Sequence, residues 1–552
     1  MDPKKATLAI YGIQDRDMFE HPLYVHDHNL AIMQEGRVTH FLQQERISRR
    51  KRDNRLHEQI PSILKEKKLL GEDFDLVFVD NAVGRTFLTT KGNVRFEAPL
   101  NSSLATDSEQ GRCWWFGKNV KAWVLNHELA HVFTCLPFFG NFKDDSLLVH
   151  FDGGASESNF SAWRFQNGRI EKLEAHWNYK YLTSIFNANA LAFAIIGEKL
   201  SGQNSVPGKM MGLAGYGSYR TELEAWLKKH QYFENIWGKK SVFFKQAKAD
   251  FNEDLRFFDA KNSFLQDVVA TLHALFVRET IAIFDRLQKQ TDVKTLYYSG
   301  GCALNIVANT RLIESNLFDE VFIPPCCEDS GLALGAAAFA EWKKHGRVEI
   351  HAPYLNNWNL QESDFDYSGK DLEEVAMSIM KRQVIGLCNG HGEAGPRALG
   401  NRSLVGLANS KKLARKISMQ HKGREWYRPV APVMLEKNTR YFTGLETIHP
   451  LSQYMLLDFN VLAEMQDELA GALHVDGTSR IQTIFNREQN PYLFDLLTLL
   501  DEKYHVRALI NTSFNAKGEP IVHTSKDALQ SAQKMGIDRV VVNGKLQRIT
   551  GV

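Results

Sequence analysis

The sequence predicts an α/β protein in two domains, the first built from two copies of one unit. Three observations carry this. First, residues 6–12 (ATLAIYG) with 26–46 read as strand, polar loop, strand, turn and strand, and 147–176 reads the same way. Second, apolar strands run into Asp152-Gly153-Gly154 and into Gly300-Gly301, where glycines let backbone N–H groups approach an anion. Third, periodicity lapses over 345–366, and beyond it loops bearing arginine or lysine recur. A chain of 552 residues also exceeds one ordinary core.

The first strand is ATLAIYG, and the turn of the next hairpin falls at Glu35-Gly36. Residues 47–70 are strongly charged and predict a solvated helical face. The run VLNHELAHVF predicts a helix, on which His127 and His131, four apart, share one face as two ligands of one metal must. The string also matches H-E-x-x-H, with Glu128 as the general base of a zinc protease. No pattern for a third ligand in a peptide cleft accompanies it, and Asp152 lies close by in sequence. Two histidines with one or more carboxylates are therefore the favoured metal set. Asn167-Gly168 predicts a tight hairpin. Residues 201–217 (SGQNSVPGKMMGLAGYG) predict an active-site loop leading into a helix. Apolar residues at helical spacing make 263–289 a long core helix. TLYYSGGCALN then gives a strand, Gly300-Gly301 and a helix start. VFIPPCCEDSGLALGAAAFA repeats that theme, with Asp329 before a helix of small residues that can lie close to a ligand or another helix. A duplicated unit of this kind holds its ligand between halves, as sugar-kinase, heat-shock and actin-like ATPases do.

The domain boundary is placed at 355/356. The second domain opens with a helix near 370–382 and a strand at 384–390. Arg397, the run HKGREWYRPVAPVM with Lys422, Arg424 and Arg428, and Arg480 then come from separate loops rich in Gly, Ser or Asn, which suits a polyanionic phosphate ligand. The 67 basic and 65 acidic residues leave a net charge of +2, arguing against nucleic acid or a membrane surface as partner. Six cysteines are too few for a disulfide framework. With no signal-peptide core and no 18-residue apolar run, a cytoplasmic location is expected.

The motifs HDHNLAIMQEGRV, QQERISRRK, HELAH, DGGASES, KMMGLAGYG, SGGCALN, EDSGLALGAA, GPRALGNRSL, KGREWYRPVAPV, HVDGTSRIQTI and INTSFNAKGEPIV occur in one order along the chain. On them the chain resembles the NodU/CmcH-type O-carbamoyltransferases over nearly its whole length. The resemblance implies a Kae-like domain of the actin-like ATPase (ASKHA) class over 1–355 and a YrdC-like twisted α/β domain over 356–552. It implies carbamoyl adenylate formation from carbamoyl phosphate and ATP in the second domain, then transfer to a hydroxyl of a sugar or natural-product acceptor in the first. It places metal ligands at His127, His131, Asp152 and Asp329, for iron(II), zinc or manganese, with iron used by relatives and Mg²⁺ accompanying ATP. It places the nucleotide at Gly153, Gly154, Gly300, Gly301 and Asn305. Carbamoyl phosphate and the ATP phosphates fall to Arg397, Lys422, Arg428, Arg480, Ser513 and Asn515. His26 is the expected base for the acceptor, and Lys51 also matches a basic residue of the family. Two departures stand out: His28-Asn29 in the first hairpin, and His391 with Glu393 ahead of GPRALG. A tRNA-modifying threonylcarbamoyl-type transferase and a non-catalytic nucleotide-binding scaffold are the alternatives. Oligomeric state is silent, with a homodimer the common arrangement for large two-domain enzymes.

Overall fold

A computed structural model describes residues 1–12, 25–80, 94–97, 109–233, 236–361 and 365–549. Its first sheet has seven strands: β1 (Thr7–Tyr11), β2 (Asn29–Gln34), β3 (Arg37–Gln43), β4 (Asp75–Val79), β5 (Val94–Glu97), β6 (Glu109–Trp115) and β7 (Lys118–Leu125). Their order is β3-β2-β1-β4-β7-β6-β5. The second sheet holds β8 (Ser146–Phe151), β9 (Phe160–Gln166), β10 (Arg169–His176), β11 (Thr295–Ser299) and β12 (Glu320–Phe322), in the order β10-β9-β8-β11-β12. In each sheet an antiparallel three-strand meander is followed by two parallel strands. The repeat is thus one of topology as well as pattern, and the duplicated α/β fold expected from the sequence is present.

The two copies meet through equivalent helices. Helix His127–Phe133 follows β7, and helix Leu332–His345 follows β12. Both are almost wholly buried, so the small residues of LALGAAAFA are there to let the axes approach. At the closest point a Cβ on Gly335 would lie 1.8 Å from the Ala130 carbonyl oxygen. Gly335→Ala must therefore push the helices apart. The expected cost is about 1–3 kcal/mol, read as a lower thermal midpoint, together with weaker divalent-metal binding because His131 rides on the displaced helix.

A third sheet contains β13 (Ile385–Cys388), β14 (Arg402–Leu407), β15 (Ala431–Leu435), β18 (Gln482–Ile484), β19 (Leu509–Ser513), β20 (Arg539–Val542) and β21 (Lys545–Arg548). Its order is β18-β15-β19-β14-β13-β20-β21, with parallel and antiparallel pairs mixed. The small ribbon β16 (Phe459–Asn460) with β17 (Thr478–Ser479) stands apart from it. The segment between the sheets is not slack. Asn356 and Asn357 accept from the Gln43 and Phe41 amides of β3, at 3.0 and 3.1 Å, which satisfies an otherwise open strand edge.

Two expectations change. The charged run is not a solvated helix. It breaks after Gln44–Ser48, where Arg49 and Arg52 take left-handed backbone (φ 58° and 56°), and resumes at Leu56–Glu66. Arg46 is buried and donates to the Gly395 carbonyl at 2.7 Å; Arg49 donates to Ile521 and Pro520 carbonyls at 2.7 and 3.0 Å. These cations tie the first sheets to the third, and the stretch reads as solvated only because its partners are distant in sequence. Residues 201–217 are likewise mostly helix, a 3₁₀ turn over Leu200–Ser205 and an α-helix over Val206–Ala214. The glycines serve close packing: a Cβ on Gly212 would sit 3.2 Å from the Tyr427 carbonyl, and one on Gly217 would strike Gln266 backbone at 2.2 Å. Lys209 of that helix is paired with Glu198 and with Glu425. The long helix spans Ser263–Thr291 as expected. All six cysteines are free and buried. Among the described residues no helix is long and apolar enough to cross a membrane.

Candidate active site

The functional side chains collect where parallel strands of both copies end. Asn126 caps the helix by accepting from Leu129 N at 3.0 Å, which starts it at His127. His127 and His131 then emerge on one face, their Nε2 atoms 3.1 Å apart. Each ring spends Nδ1 on a backbone carbonyl, of Asp80 at 3.2 Å and of Cys327 at 2.9 Å. That fixes the tautomer with the Nε2 lone pairs facing one another. Two facing acceptors repel unless a proton or cation lies between them. Asp329 Oδ1 stands 3.7 Å from His127 Nε2 and 3.4 Å from His131 Nε2, and Asp152 Oδ2 is 3.9 Å from His131 Nε2. Ligands about 2.0–2.2 Å from one ion lie roughly 3–4 Å apart. The donor set therefore fits a divalent cation, and His127, His131 and Asp329 form a compact ligand cluster.

The surroundings aim these ligands. Tyr11, at the end of β1, donates to Asp329 Oδ2 at 2.9 Å. Asn29 donates to the Asp329 carbonyl at 2.8 Å and accepts from Ala333 N at 2.7 Å, so it pins both sides of the turn that carries Asp329. The first departure noted in the sequence is thus a brace for a ligand. His28 has a packing role, wholly buried against Gly12. His26 Nδ1 contacts Asp27 Oδ2 at 2.9 Å and lies 3.8 Å from Asp329 Oδ2. Burial opposes the charged ring, but Asp329 and Asp27 outweigh it and raise His26 to about 9. Glu128 is not placed as a protease base. Its Oε1 accepts from the amides of Glu157 and Ser158 at 2.7 and 2.9 Å, holding the polar loop that follows Asp152.

Of the glycines expected at a nucleotide, Gly153 and Gly154 are exposed, and the Gly153 and Gly301 amides donate to Asp152. Gly300 has φ 103°, and its Cβ would meet the Phe151 carbonyl at 2.2 Å, so no other residue fits. Asn305 departs from expectation. Its Oδ1 caps the following helix through Ala308 N at 3.1 Å, and its Nδ2 faces His273 Nε2 at 3.1 Å, so it shapes the loop instead of presenting free polar atoms. Sequence reasoning missed Trp177 and Lys180: the exposed indole lies against Gly154, and Lys180 donates to the Gly153 carbonyl.

A second centre lies in the loops of the third sheet. Lys422 is buried and donates to the Asn515 carbonyl and Oδ1 at 2.8 and 2.9 Å, and Arg424 donates to Ser513 Oγ at 3.3 Å. Ser513 and Asn515, expected as ligand contacts, thus hold the cations in place. Burial lowers Arg424 to about 9, with Arg428 and Arg397 adding repulsion. Burial and then Arg397, Arg424 and Arg428 depress Arg480 well below its usual range. Arg397 Nε and Arg480 Nε are buried with no acceptor among the described residues. Guanidinium groups remain charged at neutral pH, so this cluster calls for a polyanion. Glu393, the second departure, is fully buried and accepts from the amides of Leu399, Asn401 and Arg402 at 2.8, 2.8 and 3.0 Å, which shapes the loop carrying Arg397.

Lys51 belongs to this second centre and not to the histidine cluster. It is solvent-accessible, yet the crowding around it, together with Arg52, Arg428 and Arg424, brings its ammonium down to about 8. An anion favours the protonated form, so affinity should fall as pH rises through that value. Sulfate, which does not titrate in this range, is expected to lose up to about tenfold in affinity per pH unit above 8. Calorimetry from pH 7 to 9.5 reads this, and Lys51→Met flattens the profile.

The two centres adjoin. A Cβ on Gly395 would lie 2.3 Å from the Pro325 carbonyl, so the Arg397 loop rests on the loop that leads to Asp329. Cys327 and Glu328 of that loop are among the charges that act on Arg397. A domain bearing a cluster of buried cations is therefore seated directly on a His/Asp centre within a duplicated α/β fold, an arrangement suited to group transfer.

Comparison with known proteins agrees. The profile of the carbamoyltransferase N-terminus matches residues 118–338, and that of the carbamoyltransferase C-terminus matches 376–548. The chain belongs to the carbamoyltransferase family and is a transferase. Nodulation protein NolO of Bradyrhizobium diazoefficiens is 33% identical over 51% of this chain and 54% of its own. Nodulation protein U of Azorhizobium caulinodans is 25% identical over 89% and 92%. An uncharacterized protein of Synechocystis is 27% identical over 94% of each chain. Among solved structures, full-length HypF in a phosphate- and nucleotide-bound form is 13% identical, covering 61% of this chain and 56% of that one, with a TM-score of 0.31. A ROK hexokinase from Thermus thermophilus is 13% identical over 60% and 97%, with a TM-score of 0.28. Likeness of that degree adds no weight to the argument.

Proposed function

We propose that this protein is an ATP-dependent O-carbamoyltransferase, forming carbamoyl adenylate at the third-sheet cation cluster and transferring its carbamoyl group to an acceptor hydroxyl at the histidine–aspartate centre. The observation that carries the reading is the close approach of the loop bearing Arg397, part of a cluster of guanidinium groups, to the loop that leads to Asp329 in a His/Asp cluster of metal-ligand geometry.

In the first step carbamoyl phosphate and water release inorganic phosphate, and the carbamate joins the ATP α-phosphate with loss of pyrophosphate. Arg397, Arg424, Arg428, Arg480 and Lys422 bind the departing phosphates, whose charge meets theirs in a site shielded from water. In the second step the acceptor oxygen bonds to the carbonyl carbon, and the bond to AMP breaks. Asp27 holds His26 Nδ1, which leaves Nε2 to take the acceptor proton. His127, His131, Asp152 and Asp329 would hold a divalent cation, which would supply Lewis acidity and offset the carboxylate charge that raises His26. The exposed Gly153–Gly154 loop and the Trp177–Lys180 pair offer an anion contact and a stacking face to the nucleotide, while the Gly153 and Gly301 amides steady Asp152.

The test is release of pyrophosphate and AMP from ATP and carbamoyl phosphate. Pyrophosphate that needs both substrates supports the reading. No turnover by the metal-replete protein, with acceptor screens of sugars and aminoglycosides also blank, would sink it.

A further inference from the structure

The centre built from His127, His131, Asp152 and Asp329 leaves one imidazole unexplained. His150 lies on β8 two residues before Asp152, so the two side chains leave the same side of the chain. It is wholly buried, and neither ring nitrogen has a hydrogen-bond partner among the described residues. A neutral imidazole carries one donor and one acceptor, and burying both unmet is unfavourable. The flanking residues of the strand are Leu147, Leu148, Val149 and Phe151, so an aliphatic residue would fill the place without that penalty. Packing alone does not call for histidine here.

The ring is next to the proposed metal centre. It stacks on His131, with centroids 5.1 Å apart and planes at 26°. Ligating atoms of His131, His150 and Asp152 all lie within 4.8 Å of one another. These three and the group His127, His131, Asp329 have His131 in common. His131 has only Nε2 to offer, because Nδ1 is held by the Cys327 carbonyl. One nitrogen cannot serve two ions at once, so the two groups describe a single centre.

We infer that His150 is a further nitrogen ligand of that one divalent cation, making the set three histidines and two aspartates. The inference rests on the metal-centre reading above. Opposite ligands of one ion stand about 4.2 Å apart, and His150 already lies within 4.8 Å of the ligand atoms of His131 and Asp152, so it reaches the ion by moving toward those two. The extra nitrogen moves preference toward Fe²⁺, Co²⁺, Ni²⁺ and Zn²⁺ and away from Mg²⁺ and Mn²⁺. It also explains an imidazole whose polar atoms no other described residue satisfies.

The experiment titrates metal-stripped full-length protein with Co²⁺, following the visible d–d spectrum and taking affinity by chelator competition. Wild type, His150→Leu and His150→Gln are compared, each first shown to be folded by circular dichroism. Both variants are expected to bind Co²⁺ on the order of 10–100-fold more weakly, with a changed spectrum and one histidine fewer by X-ray absorption. Metal-free His150→Leu should melt at or above the wild-type midpoint, since an unmet imidazole has been removed. Unchanged affinity and spectrum in both variants would overturn the inference while leaving the centre intact. Failure of the wild type to bind Co²⁺ would instead overturn the centre itself.

Discussion

Asp329→Asn is expected to abolish carbamoyl transfer and metal retention while leaving carbamoyl-phosphate-dependent exchange of pyrophosphate into ATP near the wild-type rate. Asparagine keeps the shape of the side chain, and its amide oxygen can still accept from Tyr11. It removes a negative charge that faces both imidazoles, at 3.7 and 3.4 Å. Loss of a charged ligand from a Lewis-acid centre is worth several kcal/mol, so transfer should fall by about 10³-fold or more. Metal per chain reads the first effect, and mass analysis of an acceptor that the wild type modifies reads the second. His127→Ala should behave alike. The exchange is expected to survive because the phosphate-binding cations come from the loops of the third sheet, which the substitution leaves in place. If exchange falls in step with transfer, the two centres do not divide the labour as proposed.

How much of this was legible in the sequence depended on the range of the interactions. The duplicated meanders were readable because alternation and turn residues are local, and Glu35-Gly36 and Asn167-Gly168 fall between paired strands. The histidine pair was readable because i, i+4 on a helix is a local geometry. The roles of Arg46 and Arg49 were not, since their carbonyl partners lie in the loops of the third sheet. Asn305 and Ser513 were read as ligand contacts because loop polar residues beside glycine look alike, whether they meet a ligand, cap a helix or hold a cation. His150 gave no signal at all. Inside LLVHFDGG it scans as one polar residue in an apolar strand, and only the fold sets it beside His131.

Arg480→Met is expected to change activity and stability in opposite directions. Burial, together with Arg397, Arg424 and Arg428 around it, depresses Arg480 strongly, and its Nε has no acceptor among the described residues. In the absence of an anion the folded state bears this repulsion, so replacing one cation with a chain of similar length relieves it. A gain of about 1 °C in the thermal midpoint is expected, the response to roughly 1 kcal/mol in a chain of this length. Once phosphates bind, the same charge becomes favourable, and it acts most strongly on charge that develops as they depart. Pyrophosphate exchange should therefore fall by about 10³-fold, within the range for arginines that stabilise phosphoryl transfer, and Arg428→Ala should lose exchange similarly. The stabilising effect of added sulfate should shrink in Arg480→Met, because part of what sulfate neutralises is already gone. A residue that merely supported the fold would lose stability and activity together. A lower midpoint with a proportionate loss of exchange would assign Arg480 to packing and remove it from the phosphate site.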